Sequence, residues 1–174
     1  MTGKAEQSLR KLQSTAKNLN QVSDELTAQL TAIEEAINGF KLGVSAWVEA
    51  HKEKLNDPRM GEVTHIVMLG YEKHKGKWAL VYDRFLEELY SGEDDAALLR
   101  EAPRDVRVKV IDAIPKLLDK LADETEKFTA EVSSVVPKAK EIADALNKAK
   151  GEVEGGTVSE PKKPLQVRPV TAKS

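Results

Sequence analysis

The residues best placed to do chemistry form a short cluster, Lys73, His74, Lys75 and Lys77, with Tyr71 before it and Trp78 after it. Cations interleaved with aromatic rings grip phosphate groups while the rings stack on bases, so this stretch is a candidate nucleic-acid contact. The competing reading is structural: lysines solvate a turn and guard a sheet edge while Trp78 packs in the sheet, and three charges make a small electrostatic footprint. Trp47 stands apart from this cluster. Strict alternation places it on the face opposite Leu42, Val44 and Val48, so either the sheet is covered on both faces or an indole is presented to a partner.

Other chemistries find little support. His51, His65 and His74 lack the i, i+4 spacing of a zinc protease, and without Cys there is no thiolate ligand, thiol nucleophile or disulfide. Asp83 and Glu62 fall in β-type sequence, but their spacing does not specify an acid-base pair. Gly70 and Gly76 are separated by a charged turn rather than arranged as a phosphate loop, and no Ser occupies a G-x-S-x-G elbow. The expectation is a protein that is not an enzyme and has no catalytic residue, metal or cofactor.

These residues must be positioned by long helices. The 174-residue chain is 40% hydrophobic, 5% aromatic and 32% charged, a balance that favours solvated helices over a thick aromatic core. From about Lys4 to Asn38 one heptad register runs Leu9, Ala16, Ser23, Leu30, Ile37 and the other Leu12, Leu19, Leu26, Ile33, Phe40, with Ser23 the polar exception. Asn38-Gly39 ends the helix. Alternation then marks strands at 41–49, 63–71 and 77–85. The polar link 51–61 contains an Asp57-Pro58 turn, and Gly76 lies in a second turn. A four-residue loop there would set Tyr71 opposite Trp78 and Leu69 opposite Leu80.

A short helix is expected at 94–102, and Pro103 suits the first turn of the next. Heptads return as Ile111, Leu118, Thr125, Val132, Ala139, Leu146 and as Ile114, Leu121, Phe128, Val135, Ile142, Ala149, which predicts a second long helix over 105–150, bent or broken at Pro115 and Pro137. Residues 151–174 lose periodicity and read as a disordered, Pro-containing, locally basic tail. Such a tail also resembles an extended proline-rich ligand in composition.

The fold class that follows is α+β, mostly α. A long antiparallel two-helix coiled coil is built on Leu12, Leu19, Leu26, Ile33, Leu118, Leu121, Phe128, Val132, Val135 and Ile142. A small three-stranded antiparallel β element sits at its closed end. The divisions are 1–40 for the first helix, 41–90 for the β element, 91–150 for the short and second long helices, and 151–174 for the tail. Two helical segments of about 35 to 40 residues would each run roughly 55 Å. The order helix, β element, helix resembles the layout of prefoldin-type chaperone subunits, apart from the extra strand, the short helix and the tail. That resemblance implies assembly through the β elements, with the coils as arms that hold partners.

A two-stranded coil and an open sheet leave a lone copy short of buried area, so a homo-oligomer with a protein partner is expected. The reading is an interaction or scaffold protein working through the coil surface or the β tip; the alternative is a nucleic-acid accessory protein using the 71–78 hairpin. A net charge of -2 argues against a strongly basic nucleic-acid or membrane-surface protein. No apolar run spans a bilayer and the N-terminus has no secretory h-region, so a cytoplasmic location is expected.

Overall fold

The structure, a computed structural model, describes residues 2–89 and 96–155. The chain divides into two compact units, the first ending at Ala130 and the second beginning at Glu131.

The first unit opens with α1, Thr2–Gly39, close to the helix that the heptads predict. The chain leaves it through turn bonds from the Phe40 amide to the Ile37 carbonyl and from the Lys41 amide to the Asn38 carbonyl. The left-handed residues that redirect it are Lys41 and Gly43, beyond the predicted Asn38-Gly39 stop. Three strands follow, β1 (Ala46–Asp57), β2 (Gly61–His74) and β3 (Lys77–Leu86), then the two-residue β4 (Ala97–Leu98). They form one antiparallel sheet in the order β1-β2-β3-β4. A 3-10 turn at Leu99–Glu101, the helix α2 (Arg104–Val110), a second turn at Ile111–Ala113 and the first part of α3 (Ile114–Gly155) complete the unit.

Several predicted boundaries change. The segment 51–57, expected to be a polar link, continues β1, where the Glu53 carboxylate is engaged by His65 of β2 and by Lys109 of α2. Only 58–60 turn. There the Asp57 carboxylate accepts the amides of Arg59 at 2.8 Å and Met60 at 3.0 Å, the turn chemistry that Asp-Pro suggested. The β2–β3 loop has two residues, Lys75 and Gly76, both left-handed, which is the backbone a tight hairpin needs. Shortening the loop shifts the register, so Tyr71 lies opposite Leu80, Leu69 opposite Tyr82, and Lys73 opposite Trp78. In place of a short helix over 97–101 there is a fourth strand and a 3-10 turn; the start of that expected helix lies outside the described residues.

The largest correction concerns the coiled coil. The apolar stripe of α1 packs against the sheet and α2 over its C-terminal half: Leu30 and Ile37 are buried in one core with Val67, Leu69, Tyr71, Leu80, Val106, Val110, Leu117 and Leu121, and Leu26 and Ile33 pack beside them. A sheet face offers more apolar area than one helix, and it takes these seam positions. Leu9, Leu12 and Leu19 remain 59%, 63% and 53% exposed, so no two-helix coil runs along this length. The polar exception in the heptad has a structural reason: Ser23 is buried, and its hydroxyl and carbonyl both accept hydrogen bonds from Arg107 of α2, which also donates to the Thr27 hydroxyl.

Pro103 caps α2, its carbonyl taking the Arg107 amide. Pro115 falls in the first turn of α3, where no intrahelical N–H is required, and the 3-10 turn just before it separates α3 from α2. In the second unit the described residues, 131–155, are helical and belong to α3, which continues through Pro137 and past the expected end at Lys150. Val132, Val135, Val136, Ile142 and Leu146 are exposed there. The rest of the expected tail lies outside the described residues. No helix among the described residues is long and apolar enough to cross a membrane.

Candidate functional site

Side chains one turn apart on α1, Glu34 and Asn38, meet the start of β3 where β4 no longer runs alongside it. The Leu80 amide donates to the Glu34 carboxylate at 2.8 Å, and the Asn38 amide donates to the Trp78 carbonyl at 3.2 Å. Backbone groups that an open sheet edge would leave to solvent are satisfied by the helix. The Asn38 side-chain oxygen in turn accepts the Tyr71 hydroxyl at 2.6 Å. Tyr71 is 1% exposed. Burial, helped by the negative charge of Glu34, pushes its phenol above the ordinary value and keeps it a neutral donor. Its ring stacks on Trp78 with centroids 5.4 Å apart and planes 16° from parallel, across the diagonal of the hairpin.

Above this floor lies an open cleft of about 690 Å³ bounded by the end of α1, the β2–β3 tip and the start of the 3-10 turn after β4. Its charged lining is Lys41, Lys75, Lys77 and Arg100 against Glu34, with His74 beside them. Glu34 is already engaged by the Leu80 amide and by Arg100 at 3.7 Å. Lys41 and Lys75 are the two non-glycine residues with left-handed backbone among the described residues, at φ 53° and 47°. Such a conformation costs an L-residue about 1–2 kcal/mol. Both strained residues are lysines, and both line this cleft.

The sequence-predicted site residues divide between two faces of the sheet. Tyr71, Lys75, Lys77 and Trp78 come together in the cleft, while Lys73 is exposed opposite Trp78 and does not line it. Trp47 sits on the other face, opposite Gly70, and donates its indole N–H to Glu72 at 3.2 Å. Gly70 is required there, since a Cβ would lie 2.5 Å from the indole. Lys41, Arg100, Glu34 and Asn38 were not singled out from the sequence. Glu34, Asn38 and Lys41 are brought in from 30 or more positions before the hairpin and Arg100 from beyond it, and no local pattern marks them.

A second polar cluster ties β1 and β2 to α2. Glu53 accepts from Lys109 at 2.9 Å and lies 3.2 Å from His51 and 3.4 Å from His65. No group of three or more His, Cys, Asp or Glu among the described residues could hold a metal ion. The hydrogen bond from Lys109, then that from His51, outweigh partial desolvation, and with His65 they hold the Glu53 carboxyl at about 2 against an ordinary 4.5. A folded-state value below the unfolded one means that the stabilisation is complete above about pH 4.5 and is lost as the pH falls toward 2. Urea midpoints measured from pH 6 to 2.5 should therefore drop through the lower part of that range, and the Glu53→Gln variant should show a shallower drop. Parallel curves for the two proteins would remove Glu53 as a cause.

The remaining candidate surface is apolar. The exposed stripe of α1 comprises Leu9, Leu12, Leu19 and Val22; on α3, Leu118 and Phe128 of the first unit and Val132, Val135 and Ile142 of the second are exposed, while Leu121 is buried. At the foot of α1, Ile37, Phe40 and Leu42 share an apolar groove of about 480 Å³ with Leu118, Leu121 and Ala122.

Comparison with protein-family models, with curated proteins and with solved structures returns no match.

Proposed function

We propose that this chain is a non-enzymatic interaction protein, scaffold-like in its role, that associates with a second copy of itself through the free stripes of α1 and α3. The observation that carries this reading is the exposure, between 41% and 63%, of seam residues that keep a seven-residue period: Leu9, Leu12 and Leu19 on α1, and Phe128, Val132, Val135 and Ile142 on α3. Large contiguous apolar stripes on soluble proteins mark interaction surfaces.

Charge favours a second copy as the occupant. Residues 2–22 carry Lys4, Arg10, Lys11 and Lys17 against Glu6, a net of +3. Residues 118–136 carry Asp119, Asp123, Glu124, Glu126 and Glu131 against Lys120 and Lys127, a net of -3. Residues 2–22 of α1 in one copy and 118–136 of α3 in another therefore offer matching periods and opposite charge, the combination that sets partner choice in coiled coils. Sedimentation equilibrium of the full chain over a concentration series tests the reading. A mass rising above the 19.2 kDa of one copy is the expected result; 19.2 kDa at every concentration is the result against it.

A further inference from the structure

The cleft at the β2–β3 tip is separate from the apolar stripes, and its lining points to a ligand of different chemistry. Lys41, Lys75 and Lys77 line it with Arg100 and one carboxylate, Glu34, which is already engaged by a backbone amide and by Arg100, itself also 3.9 Å from Glu101, so the three lysines carry the charge left over. The unbalanced charge lies next to a stacked Tyr71–Trp78 pair, of which Trp78 is partly exposed. Two of the lysines, Lys41 and Lys75, hold left-handed backbone that a glycine would adopt without strain. Retained strain at a concave surface points to a role for the side chain. Lysines serve as point charges for phosphate, and an indole face offers a stacking platform for a planar ring. At about 690 Å³ the cleft lies within the range of small-ligand sites.

We propose that this cleft binds a mononucleotide-type ligand, a planar base carrying a phosphate chain, with Lys41, Lys75, Lys77 and Arg100 surrounding the phosphates and Trp78 beside the base. The ligand is bound without reaction. A volume of about 690 Å³ suits a small ligand better than a continuous strand.

Isothermal titration calorimetry on the full chain with ADP, pyrophosphate, adenosine and a single-stranded oligonucleotide tests this. ADP should bind, with weakening as salt rises, and should bind at least tenfold more tightly than either pyrophosphate or adenosine. The double variant Lys41→Gly, Lys75→Gly should lose at least tenfold in ADP affinity while its thermal midpoint holds or rises, because glycine relieves the strain at both positions. That pairing separates a binding role from a structural one. The proposal is overturned by any of four results: no heat with ADP at millimolar concentration, unchanged affinity in the double variant, pyrophosphate or adenosine binding as tightly as ADP, or an oligonucleotide binding more tightly than ADP.

Discussion

Replacing Leu12 and Leu19 together by Glu should leave the folded unit intact and abolish self-association. Both side chains are more than half exposed in a single copy, so the monomer loses little when they change. In an assembly they would be covered, and each leucine contributes about 1.5–3 kcal/mol when removed from water. Losing two such contributions weakens association by on the order of 10² to 10⁴-fold, and burying the added carboxylates would cost more. Sedimentation of the variant beside the parent chain reads the mass, and circular dichroism reads the fold. A variant that assembles as the parent does would remove α1 from the interface, whereas one that fails to fold would mean that the N-terminal half of α1 has a role in the monomer that its exposure does not suggest.

The second large effect separates two positions of one heptad register. Leu9 and Leu30 are equivalent in sequence, three heptads apart, and a coil along the whole of α1 would make their truncation about equally costly. In the structure Leu30 is 2% exposed and Leu9 is 59% exposed. Leu30→Ala should therefore cost about 2–5 kcal/mol, the loss of a buried side chain plus the cavity it leaves. Leu9→Ala should stay within about 0.5 kcal/mol when measured at a dilution where single copies dominate. Urea denaturation of the two variants settles the contrast, and equal losses would restore the coil.

The comparison of Leu9 with Leu30 also indicates what a sequence can and cannot reveal here. The heptads locate α1 to within two residues at its start and one at its end, because helical period is a local property. The covering surface is not local. A seam that fits a partner helix fits a sheet face equally well, and residues 26–37 went to the sheet. Ser23 was the available clue, since a buried hydroxyl in a seam needs a donor, but the donor is Arg107, 84 positions away. The extension of β1 through 51–57 was masked in a similar way: its alternation is carried by polar residues, among them Glu53, whose carboxylate is met by Lys109 from 56 positions away, so the segment reads as polar.

The cleft was half legible. Tyr71, Lys75, Lys77 and Trp78 lie within eight positions, so one hairpin brings them together whatever the rest of the chain does, although a loop two residues shorter than expected changed their pairing. Lys41 and Arg100 enter only through the packing of α1 and the short β4 on the hairpin. The left-handed conformation of Lys41 and Lys75 is a property of backbone angles that side-chain identity conceals.

Hydrogen–deuterium exchange of the full chain at low and high concentration tests self-association through the helices most directly. The expected result is protection that grows with concentration in residues 3–22 of α1 and 125–146 of α3, with the strands and α2 unchanged. Exchange that is independent of concentration, or protection that grows in the sheet while both helices stay open, would contradict it.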